Sequence, residues 1–169
     1  MVPGGDMNEQ SDRAELERAI YDGGEQNIPT ASADEPVQET MSVCGVINSD
    51  GRYLMGKRKP GGSLGGCWEF IGGKVNMNEA PGLALKREFQ EELGVDIALG
   101  PLFYRGSFQH NGTHFTLQAY KVELLSDDFT GVEHEALEWK TVPEMKELRM
   151  ASSDYGVYEY LKYHPEEWS

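Results

Sequence analysis

Residues Gly73 to Val95 read GKVNMNEAPGLALKREFQEELGV, and the second half of this stretch decides the fold. Leu85, Phe89 and Leu93 recur every four residues, the apolar stripe of one amphipathic helix. Pro81 suits the first helical turn, and Gly94 stands where a helix-ending glycine belongs, so the spacing predicts a helix over 81–93. Beside the apolar stripe run Glu88, Glu91 and Glu92, three and four residues apart and therefore neighbours on one face. Two unit charges about 6 Å apart repel by roughly 3 kcal/mol at an effective dielectric near 20. An acidic stripe of this kind is in general a solvated face. The alternative is a divalent cation, which offsets the repulsion and inverts the local field. Arg87, four residues before Glu91, can pair with it and orient the carboxylates.

Working outwards, WEFIGGK (68–74) reads as a short strand, preceded by the glycine-rich loop KPGGSLGGC (59–67). Before that loop, TMSVCGVIN (40–48) and YLMGKR (53–58) form a hairpin around the turn SDGR (49–52). After the helix, strands are expected around 102–108, 114–125 and 136–139. Thr141, Pro143 and Glu144 form a capping box that opens a helix over TVPEMKELR (141–149), and a last helix starts near Ser153. Hairpin, helix, strands and helix make a mixed α+β domain, without the alternation of a doubly wound sheet.

Gly73, Glu79, Arg87, Glu88, Glu91, Glu92 and Gly94 occupy the fixed positions of the Nudix box, with Phe89 and Val95 at its apolar positions. The chain resembles the Nudix hydrolases from about Thr40 to His164. WEFIGGK is similar to the WEFPGGK of the MutT-like branch, with Ile71 where proline is usual. The resemblance implies the Nudix fold, a mixed β-sheet sandwiched between α-helices. It also implies Mg²⁺-dependent hydrolysis of a nucleoside diphosphate linked to another group, with Mn²⁺ a possible substitute. Glu91 and Glu92 are then the central metal ligands, Glu88 is a ligand or the group that activates water, and the Gly72 carbonyl joins the set. Mg²⁺ prefers oxygen ligands and is commonly shared between carboxylates and substrate phosphates, so this donor set suits it.

Other candidates follow from the same likeness. In VEHEALEW (132–139), Glu133 takes the place of a further glutamate, a metal ligand or general base, with Glu135 and Glu138 as rivals. Lys74 and Arg58 resemble basic cleft positions that contact phosphates. In ASSDYGV (151–157), Asp154 stands where the branch reads the nucleobase, though it could equally cap the last helix. An ionised carboxylate only accepts hydrogen bonds, so Asp154 suits an exocyclic amino group such as that of cytosine. If protonated, it suits an oxidised purine. Phe70 is placed to stack on the base, or belongs to the core. Glu79 is a helix-start residue or a support for the ligands. His110 and His114 lack metal-ligand spacing.

The rest of the chain bounds this reading. With 169 residues it is long enough for one domain with a sizeable core. The formal net charge is −14, of which −8 falls in residues 1–39, where ten acidic residues face two basic ones. Such a chain lacks the basic footprint of a duplex-binding protein. Residues 1–39 read as an acidic, flexible extension with at most one short helix over 11–22, and 40–169 as the Nudix domain. No membrane span or signal peptide is evident, and Cys44 and Cys67 form no framework, so a cytoplasmic monomer or homodimer is expected. The expected function is hydrolysis of modified or cytidine-type (deoxy)nucleoside triphosphates to the monophosphate and pyrophosphate. The alternatives are ADP-ribose or a dinucleoside polyphosphate as substrate, or a Nudix domain that senses a nucleotide without cleaving it. Residues 107–116 hold neither the proline nor the tyrosine typical of ADP-ribose and dinucleoside polyphosphate members, which counts weakly against those substrates.

Overall fold

The computed structural model of the protein describes residues 39–62, 64–110 and 113–168. The short helix read over 11–22 lies outside these residues. Strand β1 (Glu39–Val46) pairs antiparallel with β5 (Ile71–Lys74) and parallel with β7 (Thr113–Leu124), whose other edge takes β6 (Ile97–His110). These four strands make one mixed sheet. A second, antiparallel sheet is built on β3 (Arg52–Lys57), which pairs with β2 (Asn48–Ser49), β4 (Trp68–Glu69) and β8 (Ala136–Lys140). The helices are α1 (Pro81–Leu93), α2 (Val142–Met145) and α3 (Ser152–Tyr163), followed by a 3₁₀ turn over Pro165–Trp168. Among the described residues no helix is long and apolar enough to cross a membrane.

Two cores lie on opposite faces of β1, because successive strand residues point to opposite sides. Val43 faces the cluster that holds Leu85, Phe89 and Leu93 of α1, all three fully buried. Burying each such side chain contributes roughly 1.5–3 kcal/mol, and this fixes α1 to the sheet. Cys44 faces the other cluster, with Phe70, Met55, Met145 of α2, and Val157 and Leu161 of α3. Helices therefore cover the mixed sheet on both faces.

Four elements differ from expectation. Of the hairpin read over 40–48 and 53–58, only the tip forms, Asn48–Ser49 against Arg52 and Tyr53, while Glu39–Val46 joins the mixed sheet. WEFIGGK is two strands: Trp68–Glu69 pairs with β3, and Ile71–Lys74 pairs with β1 in the other sheet. The chain changes sheets at Phe70, whose fully buried ring is wedged into the second core. Strand β6 is longer than read and runs through Gly100-Pro101, where its register with β7 shifts between Leu99 and Leu102. A bulge tolerates a proline that has no N–H to give the ladder. The helix of 141–149 ends after Met145, although its Thr141/Glu144 capping box is present. Beyond it Arg149 accepts the Trp68 N–H at 2.8 Å and Met150 bridges to Trp68, drawing the chain to the sheet edge.

Candidate active site

Helix α1 begins at Pro81 without a side-chain cap and ends at Gly94 in the left-handed region, φ 67°, with its N–H donating to Gln90 O at 3.0 Å. Burial of the Leu85/Phe89/Leu93 stripe turns the adjacent carboxylate stripe toward the edge of the mixed sheet. Glu88 and Glu92 are each only 8% exposed, whereas Glu91 reaches solvent. Gly73 on β5 makes room for Glu88: a Cβ there would lie 2.4 Å from its carboxylate.

Arg87 ties the group together. Its Nε and Nη2 donate to the two oxygens of Glu79 at 2.9 and 3.0 Å, and Nη2 also donates to the Lys74 carbonyl at 2.9 Å. Its Nη1 donates to Glu88 at 3.0 Å and to Glu91 at 3.2 Å. Glu79 precedes the helix N-cap, so its place is set by Arg87 and by the Asn76 N–H, 3.0 Å away. The bidentate bond from Arg87 holds the Glu79 carboxyl below the usual carboxylate range, and the same bond pushes the guanidinium further up.

A cleft of about 560 Å³ opens beside this face. Glu88, Glu91, Glu92 and Glu133 line it together with Arg58, Lys74 and Asp154. Glu133 reaches it from the segment before β8, and its N–H donates to Glu92 O at 3.2 Å. Glu135 and Glu138 are engaged elsewhere, by Lys57 and Lys140. Asp154 is 3% exposed; it accepts the Phe70 N–H at 3.1 Å on Oδ1 and the Ser153 hydroxyl at 3.2 Å on Oδ2. It does not cap α3, whose N-cap is Ala151.

Other expectations need correction or adjustment. Phe70 cannot stack on a base, because its ring is fully buried in the second core and only its N–H serves the cleft, through Asp154. Gly72 sits within the β1–β5 ladder opposite Cys44, and its neighbour Gly73 lines the cleft. Arg87 stands behind the carboxylates and is not among the cleft-lining residues. The sequence reading missed Glu69 and His134, which also line the cleft and meet at 3.2 Å. Nothing local in the sequence marks the pair, because the two residues lie 65 apart.

The donor set is hard, anionic and all-oxygen, and the absence of a Cβ at Gly73 keeps space in front of Glu88; these residues fit a divalent cation. Among the described residues, three ligand atoms lie within 4.8 Å of one another only at His164, Glu166 and Glu167. That group is engaged near the C-terminus, where the Tyr160 hydroxyl donates to Glu167.

The NUDIX domain pattern matches residues 36–161. This chain belongs to the Nudix family. The CTP pyrophosphohydrolase of Escherichia coli is 32% identical over 117 residues, 69% of this chain and 87% of its own. A Mycobacterium tuberculosis protein assigned as an 8-oxo-dGTP diphosphatase is 36% identical over 116 residues, 68% of this chain and 82% of its own. The solved structure of the MutT Nudix hydrolase of methicillin-resistant Staphylococcus aureus superposes with a TM-score of 0.60 at 30% identity, covering 75% of this chain and 97% of that one. The Nudix chain described here is accordingly a MutT-like hydrolase with an α+β Nudix fold.

Proposed function

We propose that this Nudix hydrolase cleaves (deoxy)nucleoside triphosphates to the monophosphate and pyrophosphate with Mg²⁺, and that cytidine-type nucleotides are its preferred substrates. The observation that carries the reading is that Glu88, Glu91, Glu92 and Glu133 line one cleft with Lys74 and Arg58. Glu88, Glu91 and Glu92 would hold the ion, which when bound neutralises phosphate charge and withdraws electrons from the phosphoryl group under attack. Lys74 and Arg58 would orient the phosphate chain, and Arg87 would keep the carboxylates in place. Glu133, which lines the cleft from a separate segment, would serve either as a further ligand or as the base that accepts a proton from attacking water. Mn²⁺ would substitute for Mg²⁺, since both take carboxylate oxygens.

The base preference rests on Asp154. An ionised carboxylate accepts hydrogen bonds and donates none, and both its oxygens already accept from the protein. In that state Asp154, which lines the cleft, suits the amino group of cytosine. The CTP pyrophosphohydrolase among the relatives supports this reading, and the 8-oxo-dGTP enzyme makes an oxidised guanine the competing substrate.

A panel of canonical and oxidised nucleoside triphosphates, incubated with the protein and Mg²⁺ and followed by product identification, tests the proposal. Monophosphate and pyrophosphate should appear, fastest from cytidine-type substrates. Glu91→Gln and Glu92→Gln should each cut turnover by about a hundredfold or more with the fold unchanged by circular dichroism. Wild-type rates from either variant at saturating Mg²⁺ would refute the ligand assignment.

A further inference from the structure

The segment that carries Glu133 is hung from the rest of the protein at several points. The Thr130 and Glu133 N–H groups donate to the last carbonyls of α1, Leu93 O at 2.9 Å and Glu92 O at 3.2 Å, and the Glu135 N–H donates to Lys57 O on β3 at 2.8 Å. Between the last two anchors, the His134 side chain turns inward. It is 8% exposed, and its Nε2 lies 3.2 Å from Oε1 of Glu69, itself 3% exposed on β4. A Glu69 carboxylate only accepts, so the bond requires the hydrogen on Nε2. The ring lies over Gly56 of β3, where any Cβ would come within 2.5 Å of Cδ2. Gly56 faces Glu69 across the β3–β4 ladder, so strand register and side-chain bond place the imidazole together.

Packing alone does not account for this arrangement. His134 Nδ1 is buried and has no hydrogen-bond partner, an arrangement that an apolar side chain of similar size would avoid. What the imidazole adds over such a side chain is a directional bond to Glu69, which lines the same cleft.

We infer that His134 is a positioning residue: through its bond to Glu69 it fixes the adjacent Glu133 over the cleft. The inference rests on the proposed hydrolysis for its kinetic consequences, though not for its structural ones. The bond locks the segment at one side chain, and the adjacent Glu133, which lines the same cleft, is thereby held in place. A misplacement of about 1 Å at a catalytic group can lower a rate about a hundredfold, so loss of the bond should be read in kcat.

The test is a double-mutant cycle with steady-state kinetics at saturating Mg²⁺. His134→Phe keeps a ring of similar size but removes the bond; it should lower kcat about tenfold or more and leave KM within about twofold. His134→Gln, which can still donate to Glu69, should recover most of that loss. In a Glu133→Gln background, His134→Phe should change kcat by less than about twofold, because the group it positions is already gone. Fully additive losses, or a raised KM with unchanged kcat, would overturn the inference. Should His134→Phe fail to fold, Glu69→Met keeps the approximate length of the partner but removes the acceptor, and it must show the same non-additivity with Glu133→Gln. Hydrogen exchange provides a reading that needs no activity: the amides of residues 130–135 should exchange faster in His134→Phe than in the wild type, and unchanged protection would also overturn the inference. A wild-type protein that hydrolyses no nucleotide would defeat the proposed function, while the exchange result would still decide the role of His134.

Discussion

Arg87 uses every edge of its guanidinium: two bonds to Glu79, one each to Glu88 and Glu91, and one to the Lys74 carbonyl. A lysine offers a point charge and cannot reproduce that planar fork, so Arg87→Lys is expected to behave as a loss. It should destabilise the protein by about 1–3 kcal/mol in urea denaturation and lower kcat about tenfold or more. Equal stability and turnover would show that the network is incidental. The Glu79 carboxyl is held below its ordinary value of 4.5 by the bonds from Arg87. A carboxyl depressed in the folded state contributes stability that is present above the unfolded pKa and lost as pH falls through the folded one. The gap in melting temperature between wild type and Glu79→Gln should therefore be constant at neutral pH and close only below the ordinary carboxylate range. A gap that closed above pH 4.5 would contradict this sign. At this scale the sequence was informative where the chemistry is local. Arg87 and Glu91 are one helical turn apart, and their contact was readable. The Glu69–His134 pair joins residues 65 apart and becomes visible only once β3 has brought β4 and the segment before β8 together.

Helix α1 was legible because its signals lie within thirteen residues: a proline at the start, an apolar stripe and a terminal glycine. That glycine is needed twice over. Gly94 has φ 67°, and a Cβ there would come within 2.6 Å of the Thr130 carbonyl oxygen. Gly94→Ala should accordingly cost about 1–3 kcal/mol by urea denaturation, and it should loosen the segment that leads to Glu133. Gly73→Ala is a different case, since its effect is steric and directed at a carboxylate. It should weaken divalent-ion binding and turnover far more than it lowers the melting temperature; the reverse pattern would mean that Gly73 serves only the β1–β5 ladder. The division of WEFIGGK between two sheets was not legible. Nothing in seven residues distinguishes one strand from two, and the break is fixed by the burial of Phe70 between α3 and the sheet. The same non-local competition shortens α2, where the pairing of Met150 with Trp68 takes the chain that a capping box alone would have kept helical.

Across the whole molecule, the difficulty is that a chain of net charge −14 is proposed to bind a polyanion. Most of that charge, −8, lies in residues 1–39, at or before the start of β1. A chain trimmed to begin at Pro36 should keep its melting temperature and its turnover; a loss of either would give the acidic extension a part in the domain. The cleft itself is acidic too, with five glutamates and Asp154 against Arg58, Lys59 and Lys74, and a cation is the means by which phosphate could enter it. The ion is therefore the central claim, and titration of the full chain with Mn²⁺, read by electron paramagnetic resonance with and without a non-hydrolysable nucleotide, tests it most directly. Saturable binding that Mg²⁺ displaces and that Glu92→Gln abolishes is the predicted result. No bound Mn²⁺ in the presence of nucleotide, or binding that Glu92→Gln leaves unchanged, would contradict the account.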